Sequence, residues 1–596
     1  MPDQAKEDVM KTNKWGMPAG QQLRRLAASV MAVFMAVALL SGCSSAGNHA
    51  ANDNGAQGRP DAGAGSQTAE QQGRPGTGTT AGEKSGGTAA TAVDEQPSTV
   101  FYEVFVRSFY DSNGDGIGDL KGLTQKLDYL NDGNPDTTDD LGVGGIWLMP
   151  IQPSPSYHGY DITDYEGINP DYGTLEDLQE LIAEAHKRGI KVIMDLVLNH
   201  TSTQHPWFVS AAKDPGSKYR DWYVWAEDQK LSPTGVSAAG SGSPWHALNG
   251  SHYLATFWEG MPDLNYDNPE VRAEAVRIGQ YWLKLGMDGF RVDGAKHIYE
   301  NLQSDRGQAA TARNTAWWQE FRTGMNPVNK DAYIVGEVWE NSAAAIAPYL
   351  DQAFDSGFNF SLAESILSAV KDERDNNFAF TLQRTQQFYG KQSQGRFMDA
   401  IFLSNHDQDR VMSQLDGNPD HARIAAALVL TLPGNPFIYY GEEIGMRGVK
   451  PDERIREPMV WSDLSRQPGQ TSWEQPLLAG EAAKGISVQS ESADPNSLLS
   501  TYRDLIRWRE DVPALRDGDI QSYDSGNPAV VSFLRRSAQQ TVLVLHNLSG
   551  EEQQVQLEAG QGGGIAKVLE NSSKSTVLEQ NLLRLPPYSS VVLEQN

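Results

Sequence analysis

Cysteine is nearly absent from this chain: Cys43 is the only one in 596 residues. A lone thiol closes no intrachain disulfide, so a cross-linked scaffold is excluded. Positive charge is also scarce. Against 77 Asp and Glu stand 49 Lys and Arg, a net charge of −28. That balance argues against nucleic acid, where a basic face would be expected. An acidic, soluble surface suits a neutral, hydroxyl-rich partner. Between positions 44 and 98 large apolar residues are almost missing, while Gly, Ala, Ser, Thr and Gln abound. Such a stretch buries too little surface to offset its chain entropy. It reads as a flexible tether.

What precedes the tether explains the cysteine. Arg24-Arg25 stand before an uncharged apolar run, Leu26 to Leu40, followed by Leu40-Ser41-Gly42-Cys43. This is a charged n-region, an apolar h-region and a small-residue cleavage site. The run is short for a membrane span, which needs about 20 residues. Leu-Ser-Gly-Cys resembles a bacterial lipobox. The resemblance implies cleavage before Cys43 and lipidation of its sulfur, with an ordinary secretory signal as the alternative. The expected layout is a signal peptide over 1–42 and a tether over 43–98. A large domain over 99–510 and a C-terminal β domain over 511–596 follow.

From Val100 onward β and α patterns alternate. Phe101 to Phe109, Gly145 to Pro150, Lys191 to Val197, Gly289 to Asp293, Tyr333 to Val338, Phe397 to Ser404 and Pro436 to Tyr440 read as strands. A further strand is expected near Asp355 to Phe360. Thr174 to Arg188 reads as a helix. Thr174 and Asp177 cap it, Leu175, Leu178, Leu181, Ile182 and Ala185 form its stripe, and Gly189 ends it. Pro269 to Leu285, Ala422 to Leu432 and Ser497 to Arg509 also read as helices. The alternation predicts an α/β fold, a (β/α)8 barrel. Residues 201–262 lack helical period and are rich in Trp, Gly and Ser; a loop this long in a barrel is usually functional, and it is expected to be an inserted domain. Val530–Leu534, Thr541–Leu545, Gln553–Leu557 and Ser589–Leu593 predict a C-terminal antiparallel β-sandwich.

Several strand-like runs end in a carboxylate or an imidazole. They are Asp195-Leu-Val-Leu-Asn199-His200, Gly289-Phe-Arg291-Val-Asp293, Gly336-Glu337-Val-Trp339 and Phe402-Leu-Ser-Asn405-His406-Asp407. In a parallel barrel such ends converge on one face. Carboxyl groups meeting around one sugar are what glycoside hydrolysis needs. Arg291 lies two residues before Asp293, on the same side of its strand. A cation there favours an ionised Asp293, as a nucleophile requires. The apolar flanks of Glu337 favour a raised carboxyl, as a general acid requires. Asp407 is the third acid, placed to stabilise positive charge on the sugar. Elsewhere, Asp111-Ser-Asn113-Gly-Asp115-Gly-Ile117-Gly-Asp119 alternates oxygen donors with glycines, a pattern suited to Ca²⁺. The twelfth position is Gly122 rather than Glu, and a strand precedes the loop, so an EF-hand is excluded.

These motifs resemble the conserved regions of the α-amylase family, glycoside hydrolase family 13, over about 101–596. The resemblance implies Asp293 as nucleophile, Glu337 as acid/base and Asp407 as transition-state stabiliser. It implies sugar contacts by His158, Tyr160, His200, Arg291 and His406, with Tyr160 as an aromatic platform. Met261-Pro-Asp263-Leu-Asn265 resembles the motif of amylases intermediate between oligo-1,6-glucosidases and neopullulanases. Lys296-His297 matches a pair that contacts sugar beyond the cleavage point in endo-acting members. Ca²⁺ is implied at Asp111, Asn113, Asp115, Asp119 and the Ile117 carbonyl. Asn199 stands where many members ligate another Ca²⁺. The activity implied is endo-hydrolysis of α-1,4 bonds in starch and maltodextrins by a lipid-anchored, extracytoplasmic monomer. Two alternatives stay open. One is an exo-acting α-glucosidase, oligo-1,6-glucosidase or neopullulanase-like enzyme. The other is a non-catalytic glucan-binding lipoprotein.

Overall fold

The computed structural model describes residues 98–595, except 238–241, 300–307, 463–466, 477–484 and 558–564. Cys43, the apolar run before it and the tether lie outside the described residues. Among the described residues no helix is long and apolar enough to cross a membrane.

The first strands are β1 (Phe101–Val104), β2 (Gly145–Leu148) and β3 (Lys191–Leu196). A hairpin, β4 (Trp245–Leu248) and β5 (Ser251–Leu254), belongs to the insert. Then come β6 (Gly289–Val292), β7 (Tyr333–Gly336), β8 (Ser356–Gly357), β9 (Ala400–Phe402) and β10 (Asn435–Tyr439). Eight of these pair in parallel in the order β8-β7-β6-β3-β2-β1-β10-β9. A parallel bridge from Phe358 to Ala400 joins the two ends. The sheet is therefore a nearly closed eight-stranded barrel, as the alternation of the sequence predicts.

Strand alternation splits the core in two. Phe101, Trp147, Ile193, Val335, Phe402 and Phe437 pack together inside the barrel. Tyr102, Ile146, Val192, Met194, Phe290 and Ile334 face outward into the larger core shared with the helices. Gly145 leaves room for the Phe101 ring, since a Cβ there would lie 2.4 Å from it. Barrel register then places Glu103 beside Trp147, and Asp195 beside Arg291. Charged groups thus occupy the layers above an aromatic floor.

The helix over Leu175–Lys187 carries the predicted capping box of Thr174 and Asp177. The helix over Pro269–Leu285 is as predicted and stops at Gly286 in the left-handed region. That over Pro419–Thr431 begins three residues earlier than its apolar pattern suggests. There Asn418 caps the Asp420 and His421 amides, and Pro419 starts the first turn.

Three expectations need correction. The run Phe101 to Phe109 is strand only as far as Val104, and Val106–Phe109 is a helical turn. Past the barrel rim the carbonyls of Arg107 and Tyr110 accept the Gly118 and Asp119 amides instead of pairing with a strand. The strand near Asp355 to Phe360 shrinks to two residues, because Asn359 caps a helix starting at Phe360. The insert also holds a helix, Pro206–Lys213, begun by His205 as cap and Pro206. It buries only Phe208 and Ala211, too few residues to reveal a period.

The C-terminal strands are β11 (Asp519–Ser522), β12 (Val530–Arg536), β13 (Thr541–Asn547), β14 (Gln553–Gln556), β15 (Ile565–Asn571), β16 (Val577–Glu579), β17 (Leu582–Leu585) and β18 (Ser590–Gln595). They form a five-stranded sheet, β11-β12-β13-β18-β15, and a three-stranded one, β14-β17-β16. Leu534, Leu543 and Leu593 of the first sheet share one core with Val555, Leu583 and Leu585 of the second. That is a small antiparallel sandwich.

Candidate active site

The C-terminal ends of the barrel strands gather the expected acids around one guanidinium. Arg291 is fully buried on β6. Its Nη1 donates to Asp195 Oδ1 at 2.6 Å and to Asp293 Oδ1 at 2.6 Å. Its Nη2 lies 2.9 Å from Glu337 Oε1. Adjacent strands β3, β6 and β7 supply these groups, and ladder bonds continue just beyond the strands. The Asp293 amide donates to the Leu196 carbonyl, and the Glu337 amide to the Val292 carbonyl. Backbone pairing thus sets the height of both acids.

Glu337 accepts the Gly294 amide on Oε2 at 2.9 Å. Burial pushes its carboxyl above the usual range. Arg291 opposes that, while Asp293 and Asp407 reinforce it. Asp195 is completely buried. It accepts Trp147 Nε1–H at 3.1 Å and Tyr160 O–H at 3.1 Å besides Arg291.

Asp407 has the opposite electrostatics. Burial alone would raise it, but His406, Arg456 and Arg291 hold its carboxyl far below the usual range. His406 Nε2 lies 3.1 Å from Asp407 Oδ2, and Arg456 Nη2 lies 2.9 Å from Oδ1. Asp407 remains about 27% exposed, so it can meet a ligand. His406 is fully buried, which disfavours its charged form. Asp407 and Glu103 outweigh burial and push it up to about 10.

The predicted sugar contacts fall into two groups. His158, Tyr160, His200, Arg291 and His406 come together. The Tyr160 ring stacks on His406 at 5.6 Å and on His158 at 6.1 Å. His200 Nε2 lies 3.2 Å from the Tyr160 carbonyl oxygen, and burial pushes its ring down to about 4. Lys296 and His297 lie on the rim. Lys296 Nζ donates to the Trp339 carbonyl at 2.6 Å and to Glu340 at 2.7 Å. The His297 ring meets Phe257 edge-on at 5.2 Å, and Phe257 also meets His200. Met261 to Asn265 returns the insert to the rim, where Asp263 bridges to His200. Asn199 donates its amide to Asp263 Oδ1 at 3.2 Å.

Sequence pattern alone does not single out Glu103, Asp195 or Arg456. Asp195 heads a motif but looks like a strand interior. Glu103 did leave a signal: a carboxylate inside an apolar central strand needs a partner. Arg456 sits in an irregular loop after β10 with no local pattern.

Known proteins agree with this geometry. The family described as "Alpha amylase, catalytic domain" matches residues 103–518, and "Alpha-amylase SusG C-terminal domain" matches 530–592. "Alpha-amylase 3" of Dictyoglomus thermophilum is 40% identical over 497 residues, covering 83% of this chain and 93% of that protein. "Oligo-1,6-glucosidase" of Parageobacillus thermoglucosidasius is 30% identical and covers 76% and 90%. The solved α-amylase from H. orenii is 45% identical with a TM-score of 0.77, over 84% of this chain and all of that one. With its barrel and its C-terminal sandwich matched and its strand-end acids gathered on one arginine, this chain belongs to the α-amylase family and is a glycoside hydrolase.

Proposed function

We propose that the enzyme cuts internal α-1,4-glucosidic bonds of starch and maltooligosaccharides with retention of configuration. The observation that carries this reading is the shared grip of Arg291 on Asp293 and Glu337. One guanidinium spanning both keeps them close. Retaining enzymes hold their two carboxyls about 5–5.5 Å apart, against about 6.5–9.5 Å for inverting ones. Asp293 Oδ1 is occupied by Arg291, which leaves Oδ2 to attack the anomeric carbon. Glu337 donates its proton to the glycosidic oxygen as that bond breaks. A covalent glycosyl-Asp293 ester forms. Glu337, now a carboxylate, takes a proton from water, whose oxygen attacks the same carbon and releases Asp293. Asp407, anionic throughout, stabilises positive charge developing on the ring and accepts its hydroxyls. Tyr160 supplies the stacking face.

Endo action is favoured by Lys296, which His297 follows beside Phe257 on the rim past Glu337. The Met261–Asn265 segment supports the intermediate subgroup. Maltoheptaose separates the alternatives. Maltotriose and maltotetraose as early products are the expected outcome. Glucose as the sole early product would establish an exo enzyme, and an inert protein would establish a binder.

Calcium is part of the proposal. Asp111, Asp115 and Asp119 lie in one loop. Asp111 takes the Asn113, Gly114 and Gly116 amides, and Asp119 takes those of Ser112 and Gly122. The described residues contain no group of three or more His, Cys, Asp or Glu arranged for a metal. By donor chemistry, the oxygens of these acids together with Asn113 Oδ1 and the Ile117 carbonyl suit a hard cation. Bound there, Ca²⁺ would brace the loop after β1 by neutralising its acids. We also assign the N-terminus to a lipid anchor at Cys43, holding the monomeric enzyme on the outer side of a bacterial membrane.

A further inference from the structure

Glu103 is separated from the acids of the site by the whole barrel sequence, yet it touches the imidazole at their centre. It sits on β1, 1% exposed, facing inward on the side of Phe101. Its Oε1 lies 2.5 Å from His406 Nδ1. The other ring nitrogen, Nε2, lies 2.6 Å from the Tyr160 hydroxyl oxygen and 3.1 Å from Asp407 Oδ2.

With Glu103 and Asp407 taken as carboxylates, hydrogen-bond bookkeeping leaves one protonation state. Suppose the ring is neutral with its proton on Nδ1. Then Nε2 presents a lone pair to the Asp407 carboxylate. It also competes with Asp195 Oδ2 for the single Tyr160 proton. Suppose instead the proton is on Nε2. Then a lone pair on Nδ1 faces the Glu103 carboxylate at 2.5 Å. Only the imidazolium donates on both sides. With it, Tyr160 accepts from His406 and donates to Asp195, and every contact pairs a donor with an acceptor.

We propose that Glu103 is a positioning residue of the active site: its carboxylate keeps His406 an imidazolium, which in turn holds Asp407 ionised and Tyr160 in the orientation that receives the sugar. The groups facing His406 fit this role. Glu103 comes from β1, Asp407 from the end of β9, Tyr160 from the loop after β2, and Asp195 with its partner Arg291 from β3 and β6. Arg456 donates to the His406 backbone carbonyl at 2.9 Å, away from the ring nitrogens. Glu103, Asp407 and Asp195 surround it, while Arg291 is shared with Asp293 and Glu337 and Arg456 with Asp452, which leaves room for one more positive charge. The position of His406 far above the ordinary imidazole range agrees. Glu103 touches no substrate and acts only through His406.

This inference rests on the reading of Asp407 as an active-site acid, and its test is separable from that reading. Glu103→Gln keeps the shape and an acceptor oxygen but removes the charge. kcat/KM is measured for variant and wild type from about pH 5 to about pH 9, and the ratio taken at each pH. The ratio cancels the alkaline limb that Glu337 sets in both. It should be highest near about pH 5 and fall at least about tenfold by about pH 9, as the weakened imidazolium loses its proton. Glu103→Asp should restore part of the alkaline activity. A ratio that does not change with pH overturns the proposal, whatever its value, because a merely structural loss is pH-independent. If Glu103→Gln does not fold, the wild type decides. In 13C-labelled histidine spectra, the His406 signal, assigned by its loss in His406→Asn, should keep imidazolium shifts up to about pH 9. A midpoint below about pH 8 overturns the proposal. Failure of the active-site reading would appear instead as full activity in Asp407→Asn, a variant that neither measurement here uses.

Discussion

At the scale of single residues, the site sorts its acids by environment. Burial lifts Glu337, whereas His406 and Arg456 depress Asp407. Two carboxyls held in opposite states are what acid catalysis beside a charge stabiliser requires. Asp293→Asn and Glu337→Gln should each lower kcat by about a thousandfold or more, with unchanged circular dichroism. The double variant should lose little more than the worse single one, since residues acting as a unit are not additive. Near-normal hydrolysis by Asp293→Asn would remove it as nucleophile. Because Glu337 donates as the neutral acid, activity should decline as pH rises through its elevated value. That limb should lie above the ordinary carboxylate range.

At the scale of elements, the loop between β1 and the helix over Leu120–Gln125 couples a metal reading to the barrel rim. Gly118 packs so close to the Val106 carbonyl that a Cβ would fall 2.0 Å from it. Asp119 caps the helix through the Gly122 amide. The loop therefore has a defined path even from its own hydrogen bonds, and a cation would add the neutralising charge. Chelation should lower the melting temperature, and added Ca²⁺ should restore it through binding to the folded state. Asp115→Ala should blunt that response while leaving the Asp119 cap intact. Equal melting temperatures for verified metal-free and Ca²⁺-loaded protein would sink the calcium assignment.

At the scale of the whole molecule, the sandwich is docked on the barrel by buried polar contacts. His546 on β13 lies 3.0 Å from the Thr431 hydroxyl of a barrel helix and 2.8 Å from Ser590. Burial pushes its imidazole down to about 3. The unfolded chain takes up that proton near about pH 6.5, while the folded one does not until far lower. Below about 6.5 the unfolded state thus binds more protons, and stability falls with falling pH, by at most about 1.4 kcal/mol per pH unit for this group. His546→Gln should be less stable at about pH 7. Its deficit should shrink towards about pH 5, in melting temperatures taken at both. A constant deficit would show that His546 does not drive the acid limb. The anchor is tested at the same scale. Cys43→Ser should move activity from the membrane fraction to the soluble fraction, or into an uncleaved precursor, without changing kcat. Wild type found wholly soluble, with its N-terminus elsewhere than Cys43, would favour a plain secretory signal.

The sequence by itself determined the barrel, the sandwich and the order in which acids appear at strand ends. Those features are local. Periods of two and of 3.6 mark strands and helices, and alternation alone puts Arg291 and Asp293 on one side of β6. The capping box at Thr174 is likewise written in four residues. Short elements resist this reading, because they span too few positions to show a period: the helix over Pro206–Lys213 escapes it, and the strand expected near Asp355 to Phe360 is only two residues long. Only the tertiary structure decided the partnerships. Arg291 reaches acids on three adjacent strands because closure and register bring positions 195, 293 and 337 to neighbouring heights. Glu103 meets His406 because β1 lies in the barrel next to β10 and near β9, although more than three hundred residues separate the pair. Arg456 reaches Asp407 from a loop whose path is set by packing rather than by any repeating pattern. A charge in a strand announces that it must be paired; which group pairs with it depends on how the sheet closes.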